Sequence, residues 1–301
     1  MSVTVRVPAK VNLHLGVGSL RPDGKHHLHT IYQAVSLYDE VTLEPTADGT
    51  VTLEVTGDLV DDVPLGDDNL ATQAVRAIAA LAGVEPSVRI ILRKGIPVGG
   101  GLAGGSADAA AALVAADALW ECGFNRAVLE GLAAQLGSDV AFLLHGGTAL
   151  GTGHGEIVSP VLSRGEWHWV LAVAEVGLST PSVYAELDRQ RGAEHETDAA
   201  IADGVLSALR AGDVVALGRS LRNDLQSPAL QLRPNLSKVL DAGRELGAVG
   251  GIVSGSGPTV ALLAPNSAEA IRIASALAGY DVCRTVRRAT GPVAGARVVT
   301  N

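Results

Sequence analysis

The sequence predicts an α+β chain of two units, on three observations. Segments with the alternation of half-buried strands occur beside segments of helical period in each half, without the regular strand–helix succession of a parallel sheet. The 301 residues exceed what one hydrophobic core usually organises. A hydrophobic share of 47% against 18% charged residues supplies apolar surface for more than one core. No linker of distinct composition parts the units; the boundary is drawn near 155, giving 1–155 and 156–301.

Taken in order, apolar residues at every second position mark strands over 3–7, 41–44, 51–55 and 88–92. Helical period marks 69–81, 106–120 and 126–136, the first of them opening on Asn69, a good N-cap. GGTALGTGHG at 146–155 reads as a strand and turn, and 169–174 as a strand. Helices follow near 181–190, 199–211 and 236–246, with the polar DRQRGAEHETD at 188–198 the most loop-like stretch. Strands at 251–253 and 259–263, a helix at 268–278 and a strand at 282–286 close the pattern.

Charge and cysteine usage exclude several function classes. A net charge of −9 argues against a nucleic-acid or anionic-membrane surface, while leaving room for a small basic pocket around a phosphorylated ligand. The N-terminal stretch lacks a signal-peptide apolar block, and no apolar run reaches membrane-spanning length without a charge. Two cysteines, Cys122 and Cys283, form neither a disulfide framework nor a metal spacing, so a cytoplasmic location is expected. His26, His27 and His29 lie close together, but no carboxylate or cysteine completes a metal site there.

The stretch IPVGGGLAGGSADAAAAL, 96–113, is the most informative. Glycine surrenders the most backbone freedom on folding, so five in seven positions imply something lying against the main chain. Gly99, Gly101 and Gly104 satisfy G-x-G-x-x-G, yet the loop does not leave its strand at once and no acidic residue closes a following strand, as a dinucleotide fold requires. A Walker A loop fails as well, because Ser106 stands where lysine is needed. What remains is a loop delivering free amides at a helix N-terminus, with Ser106 as expected cap: a phosphate cradle. A glycine-rich turn for close helix–sheet packing is the bland alternative.

Three further stretches accompany it in order: PAKVNLHL (8–15), LGSDVAFLLHGGTAL (136–150) and GGIVSGSGPTVALL (250–263). Together the four resemble the GHMP kinase superfamily over nearly the whole chain. RPDGKHHLHT (21–30), DDNL (67–70), GSDV (137–140) and NDL (223–225) narrow the resemblance to the branch acting on a diphosphocytidyl sugar alcohol in the non-mevalonate isoprenoid route. The resemblance implies a two-domain fold: an N-terminal ATP-binding α/β domain of the ribosomal protein S5 domain 2-like kind, then a ferredoxin-like α+β domain. It implies ATP as phosphoryl donor, Mg2+ bridging its phosphates, a small-molecule acceptor, and a monomer or homodimer with neither nucleic-acid nor membrane partners.

The roles carry over residue by residue. Asp139 would be the general base and Lys10 would stabilise the developing alkoxide. From spacing alone Asp139 is equally a helix N-terminal carboxylate, and Lys10 a solvated strand-end lysine, although only Lys10, Lys25, Lys94 and Lys238 among the 23 basic residues are lysines. The ATP site would comprise Asn69 with Pro97, Val98, Gly99, Gly100, Gly101, Leu102, Ala103, Gly104, Gly105, Ser106 and Ala107, Ser106 being the candidate magnesium ligand. Asn12, Lys25, His26 and Tyr184 would meet the acceptor, Tyr184 against its cytosine; a lone helical tyrosine is otherwise a core residue. Lys25 departs from the tyrosine that members commonly carry there, so one stacking wall is missing. SGSGPT, 254–259, is either a second phosphate-facing loop or a tight turn between strands. The rival functions are a homoserine- or mevalonate-type kinase of the same superfamily, and a nucleotide-binding protein without turnover.

Overall fold

A computed structural model describes residues 1–21, 24–57, 60, 63–192 and 199–299; Pro22 and Asp23 of the 21–30 motif, and 193–198 of the polar stretch, lie outside them. The chain opens with β1 (Val3–Leu20) and β2 (His26–Pro45), paired antiparallel from Val3↔Leu43 to Leu20↔His26. β3 (Val51–Gly57), α1 (Leu70–Ala82), β4 (Val88–Lys94), α2 (Gly104–Leu119), α3 (Arg126–Leu136), α4 (Ser138–His145), β5 (Thr148–Thr152) and β6 (Ile157–Pro160) follow. Then come β7 (Trp167–Val173), α5 (Thr180–Arg191), α6 (Asp203–Ala211), α7 (Val214–Ser220), β8 (Arg222–Asn223), α8 (Gln226–Leu232) and α9 (Asn235–Glu245). β9 (Gly250–Val253), β10 (Val260–Ala264), α10 (Ser267–Leu277), β11 (Thr285–Gly291) and β12 (Arg297–Val298) complete it.

Two sheets result. The first has the order β12-β1-β2-β4-β3, with the β5–β6 hairpin on β2 and β8 on β1. The second, β11-β7-β10-β9, is antiparallel throughout; with helices between β7 and β9 and between β10 and β11, it follows the ferredoxin-like path. A boundary at 155 falls in the turn joining β5 to β6, and the last strand returns to β1.

β1 runs well beyond the expected 3–7. Pro8 cannot donate to a ladder, and the pairing shifts register between Pro8 and Ala9, but the alternation resumes at once. Val7, Ala9, Val11 and Leu13 enter the first core, while Lys10, Asn12 and His14, alternating with the last three, are buried on the other face. β2 was legible only over 41–44 because buried Thr30, Gln33 and Asp39 interrupt its apolar pattern. β7 likewise serves two cores: Trp167, Trp169 and Leu171 join the first, and Val170 and Ala172 the second, under the helices of the C-terminal half. Trp169 donates its indole N–H to Gln33 Oε1 at 2.9 Å, stitching the two sheets.

α2 is alanine-rich and buried on most sides, packing on β1, β2, α1 and α4, so it is the central buried helix. Its start corrects an expectation. The helix begins at Gly104, after Ala103 in the left-handed region (φ 62°), and no side chain caps it. Ser106 is therefore a first-turn residue and not the N-cap.

Candidate active site

The site lies where β1, the glycine-rich loop, α4 and the 254–259 loop converge around a cavity of about 450 Å³. Lys10 is 4% exposed on β1; its ammonium donates to Asn12 Oδ1 at 2.6 Å and stands 3.6 Å from Asp139 Oδ2 in the first turn of α4. Asn12 donates in turn to Thr30 Oγ1 at 2.9 Å, and Thr30 to the His14 carbonyl at 2.7 Å, so a chain of hydrogen bonds orients the lysine from below. Tyr32 lines the same wall, stacked on Phe142 at 4.8 Å. Burial, with the Asp139 carboxylate beside it, pushes the Tyr32 hydroxyl well above the usual phenol range.

The glycines of the first loop divide by what surrounds them. Gly101 has φ +75°, and a Cβ there would stand 2.9 Å from the Gly257 carbonyl oxygen. Gly100 accepts at its carbonyl from Thr259 N–H at 3.1 Å, and Gly101 from the Ser254 hydroxyl at 3.0 Å. These glycines are required by the second loop, which docks on the first. Gly104 packs on Ile96 and Lys94. Gly99 and Gly105 are different: a Cβ on Gly99 would meet nothing within 4 Å and one on Gly105 only Leu70, and both line the cavity. Those are the positions where a ligand can approach the main chain. Gly255 (φ +56°) sits over the lysine, where a Cβ would come within 3.1 Å of Lys10 Nζ.

Under the loop lies a buried triad absent from the sequence-level expectations. Lys94 Nζ donates to Asp39 Oδ2 and Asp108 Oδ2, each at 2.5 Å, and to the Gly104 carbonyl at 3.3 Å. Asp39 Oδ1 also accepts from the Gly95 and Ile96 amides at 2.7 and 2.8 Å, so one carboxylate and one ammonium hold both ends of the loop. The second loop has its own brace. Asn223 donates to the Val253 and Gly255 carbonyls at 2.8 and 2.7 Å and accepts from Leu225 N–H at 2.8 Å.

A second cavity of about 480 Å³ adjoins the first and is lined by Lys25, His26, Tyr184 and Asp188 among others. His26 donates from Nδ1 to the Gly18 carbonyl at 2.9 Å, its Nε2 lies 3.5 Å from Asp188 Oδ2, and its ring stacks on Tyr184 with centroids 5.2 Å apart. Tyr184 thus has His26 on its ring, contacts the second core, and lines both cavities. His154 and Ser138, which no sequence argument singled out, also line both.

Of the expected residues, Lys10, Asn12, Asp139, Tyr184 and the turn Gly99, Gly100, Gly101, Ala103, Gly104, Gly105 and Ser106 come together around the first cavity, and Lys25, His26 and Tyr184 around the second. Pro97, Val98, Leu102 and Ala107 are outside the lining; Leu102 and Ala107 are fully buried in the core. Asn69 is outside it too. Its side chain caps α1 by accepting from Ala71 N–H at 2.9 Å and donates to the Pro64 carbonyl at 2.8 Å, leaving Leu70 to line the cavity. Among the described residues no three His, Cys, Asp or Glu side chains stand close enough to hold a metal ion by themselves. The cavity does offer the Ser106 hydroxyl and the Asp139 carboxylate, oxygen donors that suit a hard cation held mainly by phosphates and water.

The sequence signature "GHMP kinases N terminal domain" matches residues 69–147, and "GHMP kinases C terminal" matches 205–281. A 4-diphosphocytidyl-2-C-methyl-D-erythritol kinase of Salinispora arenicola is 58% identical over 296 residues, 98% of this chain and 93% of its own. The crystal structure of a 4-(cytidine 5'-diphospho)-2C-methyl-D-erythritol kinase superposes with a TM-score of 0.77 at 35% identity, covering 96% of this chain and 98% of that one. A homoserine kinase from Cytophaga hutchinsonii, at 21% identity, shares the fold with a TM-score of 0.76 over 99% of this chain and 97% of its own.

Proposed function

The chain belongs to the GHMP kinases, and from that membership we propose that it transfers the γ-phosphoryl group of ATP to the 2-hydroxyl of 4-diphosphocytidyl-2-C-methyl-D-erythritol, in the non-mevalonate route to isoprenoid precursors. The observation that carries the chemistry is the Lys10–Asp139 pair, 3.6 Å apart on the wall facing the glycine-rich turn. Phosphoryl transfer demands an in-line hydroxyl, an acceptor for its proton and neutralisation of charge spreading over the transferred group. Asp139 accepts the proton at its carboxylate, and Lys10 lies close enough to stabilise the alkoxide as that proton leaves. Asn12 holds the ammonium in place.

The turn at Gly99 and Gly105 and the first amides of α2 receive the ATP phosphates, with the helix dipole favouring negative charge there. Mg2+ would neutralise negative charge on the phosphates when bound, with the Ser106 hydroxyl, which lines the cavity, as the side chain that would hold it. The first unit, 1–155 in outline, holds the nucleotide, and the second, 156–301, covers the acceptor through α5 and the 254–259 loop. Both cysteines are free thiols, which suits a reducing cytoplasm.

The test is coupled ADP release by the purified protein with the diphosphocytidyl acceptor, homoserine and mevalonate in turn. ADP release with the diphosphocytidyl acceptor alone is expected. Faster release with homoserine or mevalonate, or none with any of the three, would sink the proposal.

A further inference from the structure

Asp224, the middle residue of the NDL motif at 223–225, has no part in the chemistry above, yet its side chain is only 10% exposed. It stands where a strand ends. β8 pairs with β1 over two residues, His14↔Arg222 and Leu15↔Asn223, and the Asp224 N–H reaches the Leu15 carbonyl at 2.9 Å. Beyond that rung the chain turns into α8, and side chains take the place of the strand. Val17 N–H donates to Asp224 Oδ2 at 3.0 Å, and the Val17 carbonyl accepts from Arg191 Nη1 at 2.7 Å. Arg191 Nη2 closes the ring by donating to Asp224 Oδ2 at 3.1 Å. Arg222 also meets Asp224, Nε to Oδ1 at 3.1 Å, but from an exposed position where an ion pair contributes little.

Arg191 is the last residue of α5, and Thr180, Tyr184, Asp188 and Arg191 follow one another at spacings of four, four and three, along one face of that helix. Each is engaged: Thr180 with the Ser256 hydroxyl at 2.8 Å, Tyr184 with the His26 ring, Asp188 with His26 Nε2, and Arg191 with the β1 main chain. Val183 and Leu187 bury another face in the second core. Apolar burial is non-directional and leaves a helix free to slide, whereas charge-assisted hydrogen bonds to main-chain atoms fix its register. We propose that Arg191 and Asp224 are positioning residues for the acceptor, an inference that rests on the acceptor class assigned above. Their pair bolts the end of α5 to β1 and so sets where Tyr184 and Asp188 stand against His26. Neither residue lines either cavity, so the effect falls on acceptor binding and leaves ATP and the chemical step alone.

The experiment measures kcat, KM for both substrates and cytidine binding in the wild-type chain, Arg191→Met, Arg191→Lys, Asp224→Asn and the double variant Arg191→Met/Asp224→Asn. Met keeps the arginine stem, and Lys keeps a charge that can reach one of the two oxygens. In Arg191→Met the acceptor KM should rise and cytidine affinity fall by roughly tenfold, the order of one lost charge-assisted hydrogen bond, with kcat and the KM for ATP held. Arg191→Lys should recover part of that loss. The double variant should be no worse than the worse single one, because the two residues act as a unit. A merely structural lesion would move kcat and both KM values together without rescue by lysine, and that result would overturn the proposal. So would an unaltered acceptor KM in folded Arg191→Met. Where Arg191→Met does not fold, the same split between acceptor and ATP in Arg191→Lys carries the test, and its absence there overturns the clamp. Absence of wild-type turnover with the diphosphocytidyl acceptor would instead remove the function on which the clamp acts.

Discussion

At the scale of single residues, Lys10 is the side chain whose burial most needs explaining, since a desolvated ammonium is costly unless it is paired. Its pairing with Asn12 and Asp139 is also the arrangement on which the proposed phosphoryl transfer rests. Asp139→Asn keeps the shape of the side chain, and Asn12 remains to hold the ammonium. Turnover should fall by about 10²–10⁴-fold, the usual range for a lost general base, with ATP affinity near wild type. ADP release and nucleotide titration on the folded variant measure both; wild-type turnover would remove the base assignment. Tyr184 shows why a residue can hold two places at once. One part of its ring meets the second core and another the cavities, so core residue and site residue are not alternatives here.

At the scale of elements, the glycine-rich loop is clamped from below and from above. The Lys94–Asp39 pair fixes both its ends, and the 254–259 loop binds its middle through Ser254 and Thr259. Two substitutions separate support from ligand contact. Gly101→Ala forces a Cβ onto a left-handed backbone, a cost of about 1–2 kcal/mol, and against the Gly257 carbonyl, so the melting temperature should drop. Gly105→Ala adds a Cβ that meets nothing outside its own helix turn closer than Leu70 at 3.9 Å, so it should leave the melting temperature nearly unchanged and raise the KM for ATP. An unaltered KM in Gly105→Ala would mean that the phosphates do not run along this turn.

At the scale of the whole molecule, the buried triad couples the fold to pH. Burial pushes the Asp108 carboxyl up to about 8, opposed by Lys94 and reinforced by Asp39, and its Oδ1 has no hydrogen-bond partner among the described residues. The folded chain therefore keeps this proton through a range in which the unfolded chain, with an ordinary carboxylate, has already lost it. Where the folded state binds more protons, stability falls as pH rises. The contribution is full below the ordinary carboxylate range and is lost up to about 8. Asp108→Asn should flatten that decline, read as unfolding free energy from denaturant titrations across the interval. Equal slopes in the two proteins would place the proton elsewhere.

The sequence by itself determined the α+β class, the strand and helix periods along much of the chain, and the stretches that carry the resemblance to the GHMP kinases. These are local properties: side-chain periodicity, glycine density and short motifs survive without knowledge of the third dimension. The alternation that continues β1 from Ala9 to Leu15 was also legible, once past Pro8. Tertiary structure alone decided the rest. It made Gly100 and Gly101 docking points for a loop some 150 residues away and turned Ser106 from a cap into a first-turn hydroxyl. It brought His154 to Lys25, and Lys94 to Asp39 and Asp108, pairs with no signature in spacing. Ion pairs and hydrogen bonds act over a few ångströms in space, and only the packing of two sheets around shared cores fixes which distant residues meet there.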